Sequence, residues 1–418
     1  MAQLSDDCFA FGGELMPIGE ALRIIEERVA AVAERESVAL RAARGRILAE
    51  AVVAPRDVPP HDNSAVDGYA VRFADLVPGG ETVLPVIGRA AAGHPLGASP
   101  SPGAAVRIFT GAAMPEGLDT VLMQEDCVAE SDRVRLPPGI RKGANRRRAG
   151  EDAKRGDVVL RAGRRLRAQD VGLAASLGLT RLPVRARLRV AVLSTGDEVR
   201  EPGDEIGGGA IYDANRYTII ALLDGLGCAV TDLGILPDRL AAIRDTLAEA
   251  ARGHDLVVTS GGMSTGDEDH IKAAVEALGA LHFWRLAIKP GRPVALGQIG
   301  RVPLIGLPGN PFAVMVTFLM LARPLILRLA GAADAAPHAF PVRAGFDYRK
   351  KAGRREFVRA SLGPVEDGLP VARKFPRDGA GILSSMTQSD GLVMLGETVT
   401  AVAPGMTVDF LPFSELID

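Results

Sequence analysis

The sequence predicts a multidomain chain of α/β plus β character: one α/β unit with a parallel-type sheet, flanked on both sides by β-rich modules. Three observations predict it. The 418 residues suffice for about two to four domains of about 100 to 200 residues each. Between positions 187 and 259, apolar strand-like runs alternate with helical periodicity in the order βαβαβ, which implies parallel strands joined by crossover helices. Outside that segment, over 73–136 and beyond Pro337, short β-type runs are broken by Pro and Gly, as in small barrels or sandwiches.

Composition narrows the function classes. Hydrophobic residues make up 47% and charged residues 24%, ordinary globular usage, and the 48 Gly and 28 Pro are spread over many turns. Lys and Arg number 49 against 51 Asp and Glu, so no global charge excess favours nucleic acid or an anionic membrane, and any anion site has to be local. Cys8, Cys127 and Cys228 are odd in number and lack metal-ligand spacing, which supports neither a disulfide framework nor a zinc site and fits a reducing cytoplasm. Asp6 and Asp7 stand where a signal peptide would be basic. The longest apolar run, 312–322, is interrupted by Arg323-Pro324 and falls short of the about 20 residues of a membrane span.

Along the chain, Ala21, Ile24, Ile25, Val29 and Val32 recur at helical spacing within 17–35. The run 55–71 is polar and turn-rich, with Asp62 and Asp67 among residues that bond their own backbone in turns. Runs 82–88, 105–110 and 120–123 make an all-β module. At 141–152 a basic cluster passes into Glu151 and Asp152, a pattern that by itself reads as a solvated face. A helix over 169–177 stops at Gly178. Strand 187–193 then feeds Ser194-Thr195-Gly196-Asp197-Glu198, helix 214–226 follows the cap Asp213, and 229–233, 240–251 and 256–259 continue as strand, helix, strand. In such sheets ligands sit beyond the carboxyl ends of the strands, where both 194–198 and 260–269 fall.

The stretch 255–329 carries the chemistry. A strand runs into Ser260-Gly261-Gly262-Met263-Ser264-Thr265-Gly266, followed by Asp267, Glu268 and Asp269 ahead of a periodic segment with Ile271, Ala274, Val275 and Leu278. Lys289 and Arg292 then share a turn, and Pro308-Gly309-Asn310-Pro311 leads into an apolar helix over 312–329. Glycines let backbone N–H groups approach phosphate oxygens, a helix start adds favourable potential, and the two cations neutralise charge. The acids either complement a helix dipole or hold Mg²⁺ against substrate phosphates. Ser384-Ser385-Met386 is an ordinary loop or an oxyanion contact.

Assembled, the motifs resemble the MoeA-type molybdenum insertases, or molybdopterin molybdenumtransferases. The resemblance rests on 62–70 (Asp-Asn-Ser-Ala-Val-Asp-Gly-Tyr-Ala), 148–152 (Arg-Ala-Gly-Glu-Asp), 194–198, 260–266, 289–293 (Lys-Pro-Gly-Arg-Pro) and 308–311, and spans nearly everything after about residue 15. Arg285 and Arg292 stand where Lys is common in the family, which keeps the charge and alters the hydrogen-bond geometry.

The resemblance implies an elongated discontinuous domain (15–55 and 142–178), an inserted β-rich domain (56–141), a MogA-like α/β molybdopterin-binding domain (179–332) and a C-terminal β-barrel (333–418). It implies homodimers whose clefts lie between the α/β domain of one subunit and the N-terminal part of the other. The implied reaction converts adenylylated molybdopterin and molybdate to molybdenum cofactor and AMP with Mg²⁺. Glu198 and Asp269 are the implied metal ligands, with Asp62, Asp152 and Lys289 beside them in catalysis. Thr195, Ser260, Gly261, Gly262, Ser264, Gly266, Arg285, Lys289, Arg292, Pro308, Gly309, Asn310, Pro311 and Ser385 are the implied substrate contacts. A molybdopterin adenylyltransferase and molybdoenzyme chaperones are implied partners. Adenylylation of molybdopterin by the same α/β domain, or a non-catalytic scaffold on this fold, are the competing readings.

Overall fold

The computed structural model describes residues 15–261 and 270–417. Its α/β unit is built on a six-stranded sheet in the order Ala229–Leu236, Arg189–Thr195, Leu256–Ser260, Val302–Leu307, Pro293–Ile299, Gly279–Arg285. The first four strands are parallel, as the βαβαβ pattern demands, and the last two are added by antiparallel pairings, so that Pro293–Ile299 alone runs against the rest. Connection length explains the change. Only Gly300 (φ 58°) and Arg301 separate Ile299 from Val302, enough for a hairpin and far too little for a crossover helix.

Alternation along the central strand divides the interior. Val190 and Val192 enter a core with helix Ala214–Gly225 and the long apolar helix, while Ala191 and Leu193 enter a second core with Leu240–Gly253 and His270–Leu278. That period of two puts helices on both faces.

The apolar helix expected over 312–329 runs unbroken over Pro311–Leu329, 19 residues of mean hydropathy 1.9 and 94% buried, so Arg323-Pro324 interrupts the apolar run and not the helix. Pro324 lacks an amide hydrogen, and the wider π turn Phe318–Ala322 carries the chain past it. Arg323 is held by the carbonyls of Ala335 and Glu415. Long enough to cross a membrane by length and composition, this helix is the core of the α/β unit.

Helix Ile18–Arg28 lays Ile18, Ala21, Ile24 and Ile25 into the same core. Although its sequence is contiguous with the first domain, its apolar stripe finds its partner in the α/β unit, and Met16 bonds the backbone of Arg285 and Ala287. The rest of the elongated domain is discontinuous: Arg35–Ala39 pairs with Arg181–Arg185, and Val52–Val53 with Val158–Leu160, around Ala43, Leu48, Leu166, Ala174 and Leu182. Inserted between these halves is a six-stranded sheet running from Thr120–Met123 to Val128–Glu130. At the C-terminus, Arg355–Glu366, Leu369–Lys374, Phe340–Ala344, Thr407–Pro412 and Gly391–Leu395 close into a five-stranded barrel, because Arg355–Glu366 pairs with both the second and the last of these.

Candidate active site

Two loops of the α/β unit are fastened together by one side chain. Asp213 caps helix Ala214–Gly225 by accepting from the Arg216 N–H, which places Asn215 in the first turn. Asn215 Nδ2 donates to Ser260 Oγ at 3.0 Å and to the Gly309 carbonyl at 2.7 Å, and Ser260 Oγ donates to the Pro308 carbonyl at 3.3 Å. The end of strand Leu256–Ser260 and the Pro308-Gly309-Asn310-Pro311 loop are therefore one assembly. Gly261 has φ 83°, and a Cβ there would stand 3.0 Å from the Thr195 carbonyl. A residue without Cβ lets the ends of two neighbouring strands approach.

Thr195 ends its strand 4% exposed. Glu198 is exposed, and its carboxylate folds back over Gly196, where an added Cβ would meet Oε2 at 2.7 Å. Gly262, Ser264, Gly266, Asp267, Glu268 and Asp269 lie outside the described residues. Asn310 precedes the long helix with its side chain exposed, and Pro311 occupies the first helical turn, where a missing N–H costs nothing.

The cation loop belongs to two domains at once. Ile288–Lys289 adds a parallel pairing to Arg355–Glu356 at the barrel edge, and the Arg355 N–H donates to the Ala287 carbonyl at 2.8 Å. Gly291, φ 96°, sits so close to the long helix that a Cβ would be 2.3 Å from Thr317 Oγ1. Lys289 Nζ reaches Glu356 Oε2 at 3.3 Å, and Tyr348 Oη and Arg354 Nε donate to the same carboxylate at 2.8 Å each. Glu356 is 1% exposed. Burial by itself would raise its pKa, but Tyr348, Lys289 and Arg354 outweigh that and hold it below the usual carboxylate range. Tyr348 is pushed up by burial and by this carboxylate.

Beside Lys289 opens a cleft of about 270 Å³ lined by Phe312, Tyr348, Arg359, Lys374 and Asp378. Arg359 lies 4.2 Å over the Phe312 ring and donates to the Gly379 carbonyl at 3.0 Å and to Ser385 Oγ at 2.5 Å. Pro290 and Ala380 continue into a second cleft of about 410 Å³ lined by Gly261, Gly291, Pro308, Gly309 and Asn310. A glycine-lined half thus adjoins a cationic half. Arg285 and Arg292 stay exposed at the margin, outside both linings.

Ser385 requires a correction. It is 0% exposed, with its hydroxyl spent on the Ile382 carbonyl and on Arg359, so it cannot touch a ligand and acts by fixing Arg359. The residues that do line the cationic half, Arg359, Lys374 and Tyr348, went unread in the sequence. One cue was present: Glu356 and Arg359 are charged residues inside the otherwise apolar run 356–360.

The acidic motif of the first and second domains lies elsewhere. Asn63–Ser64 pairs with Arg146–Arg147, and Asp62 accepts from the Ala149 N–H at 2.8 Å and faces Arg146 at 3.5 Å. Glu151 pairs with Arg147 and the Arg148 N–H, while Asp152 is exposed. Asp67 accepts the Thr110 N–H and hydroxyl, which lower its pKa against a smaller opposing effect of burial. Among the described residues, no hydrogen bond or ion pair links this ledge to the loops at 195–198, 260–261, 289–293 or 308–310. A further apolar cavity of about 330 Å³, between helix Ile18–Arg28, the linker 332–339 and the barrel, contains none of the sequence-predicted site residues.

Three family models match the chain in succession: the MoeA N-terminal region (domain I and II) over 16–178, a probable molybdopterin binding domain over 191–328, and the MoeA C-terminal region (domain IV) over 341–413. The molybdopterin molybdenumtransferase of Haemophilus influenzae is 39% identical over 405 residues, covering 96% of this chain and 100% of that protein. The one from Nostoc sp. is 35% identical over 390 residues, 91% and 89% of the two chains. The crystal structure of the molybdopterin biosynthesis moeA protein from Pyrococcus horikoshii OT3 superimposes with a TM-score of 0.82 at 30% identity, covering 96% and 100%.

Proposed function

The chain belongs to the MoeA family, and from that premise we propose how its residues carry out the family reaction, the insertion of molybdenum into molybdopterin. The observation that supports the reading is the joined cleft: glycine-lined loops for the phosphate-bearing end of the pterin, continuous with a cationic pocket for an oxyanion. Adenylylated molybdopterin lies along Gly261, Pro308, Gly309 and Asn310, where backbone groups and the start of the long helix favour phosphate. Molybdate enters beside Lys289, Arg359 and Lys374. Arg359 presents fixed donors that match a tetrahedral oxyanion, while Lys289 offers a point charge on a flexible stem. The chain's task is to bring two anions together by positioning and charge compensation.

The donors present suit Mg²⁺. Among the described residues no three His, Cys, Asp or Glu side chains converge. Glu198 is exposed and has no described side-chain hydrogen bond, as befits an ion that takes one or two carboxylates and completes its shell with water and phosphate oxygens. Glu198 and Asp269 would hold it, and bound there it would offset the charge of the phosphoanhydride. Asp62 and Asp152 reach the cleft from a second copy of the chain in a homodimer. That reading accounts for an acidic ledge with no described intrachain bond to the other loops.

Supplied with adenylylated molybdopterin and Mg²⁺, the protein should release AMP only when molybdate is added. Consumption of ATP with free molybdopterin would indicate an adenylyltransferase instead. No turnover of either kind would leave a binding scaffold and overturn the mechanism.

A further inference from the structure

Glu356 lies at the junction of the barrel and the α/β unit, and we propose that it is a positioning residue for Lys289, holding the ammonium at one place in the cationic cleft. This rests on the reading of Lys289 as a ligand-binding cation. The sequence motifs did not include Glu356, and its partners define what it does. Arg354 Nε donates to Oε1 at 2.8 Å and Tyr348 Oη to Oε2 at 2.8 Å, so two groups from the barrel orient the carboxylate before Lys289 is considered. The remaining capacity of Oε2 goes to Lys289 Nζ at 3.3 Å. The Lys289 ammonium also stands 6.0 Å from the Tyr348 ring centre, which lets the ring face share in holding the cation.

The backbone reinforces the arrangement. Lys289 and Glu356 are register partners in the parallel pairing at the barrel edge, so the side-chain contact spans a short, fixed gap. A lysine on a flexible stem, with a side chain 51% exposed, would otherwise distribute its charge over many rotamers. Glu356 is 1% exposed and remains anionic because its three donors outweigh burial. A buried carboxylate placed against a site for two anions is electrostatically unfavourable for binding them. Its presence there is explained if alignment of Lys289 contributes more than the charge opposes.

The opposition of charge and alignment gives the proposal a signature. Glu356→Gln removes a negative charge, so molybdate KM should stay level or fall, while kcat for AMP release should fall about tenfold or more through loss of alignment. A thermodynamic cycle with Lys289→Ala, read as single-turnover rates, separates this from loss of folded enzyme. In the Lys289→Ala background, Glu356→Gln should cause no further loss, whereas a merely structural role would multiply the two losses and overturn the proposal. Should Glu356→Gln fail to fold, Glu356→Asp keeps the charge, draws it back by one methylene and enters the same cycle with the same two outcomes. If Lys289→Ala alone leaves AMP release unchanged, the ligand-binding reading of Lys289 fails, a result distinct from multiplication.

Discussion

The cationic cleft and the Asp62 ledge carry charges of similar number and behave oppositely. In the cleft, charged groups are held across domains: Lys289 of the α/β unit by Glu356 of the barrel, and Arg359 of the barrel by the Phe312 ring of the long helix. On the ledge, Asp62, Arg146, Arg147 and Glu151 are satisfied within their own neighbourhood, and Asp152 remains exposed. The first arrangement is what a chain builds when it completes a site by itself. The second, under the proposed function, supplies part of a site whose facing wall belongs to another copy.

The largest effect would come from testing that division directly. Asp62→Asn and Lys289→Ala should each cut AMP release by about 10²-fold or more, as expected for removing a group aimed at reacting charge. Mixing the two inactive proteins with subunit exchange should restore about a quarter of wild-type activity, because half the dimers are mixed and each has one intact cleft. No recovery, with exchange verified by mass-tagged subunits, would place the whole site within one chain and dissolve the contrast.

Next in size is the difference between touching a ligand and holding the group that touches it. Arg359→Ala should reduce turnover about 10²-fold, and Ser385→Ala by about tenfold or less, since Arg359 keeps its Gly379 bond and its place over Phe312. Equal losses in steady-state assays would show that Ser385 does more than orient Arg359.

Asn215→Ala sharpens the comparison from the glycine-lined side. It removes both bonds that fasten Ser260 to Gly309, so denaturant unfolding should show a loss of about 1 to 3 kcal/mol, together with a raised KM for the pterin substrate. A raised KM with no change in stability would mean that Asn215 contacts the ligand and does not act as a fastener.

The smallest effect belongs to Asp67. Its folded pKa lies below the ordinary 3.8, chiefly through the Thr110 N–H and hydroxyl. The stabilisation it gives is therefore complete above the unfolded value and lost as pH falls through the folded one. Asp67→Asn should lower Tm at neutral pH, and the gap to wild type should close on acidification below 3.8. A gap that persists in acid would rule out this linkage.

Much of the architecture was legible along the chain. The continuous apolar run 190–193 reports a strand buried on both faces, Asp213 reports the start of a helix, and Gly178 at φ 80° reports the end of another. These are local signals, since each depends on residues within a turn or a strand. The loops at 194–198, 289–293 and 308–311 were readable for the same reason: glycine admits backbone conformations that other residues avoid and proline fixes its own φ, wherever they occur. What local pattern could not decide was partnership. That Glu356 belongs to Lys289, that Ser385 is spent on Arg359, and that helix Ile18–Arg28 packs on the α/β core are set by the closing of the barrel and the docking of domains. Buried charge is stable only with its partners in place, and those partners come from strands that sequence separation conceals and tertiary structure brings together.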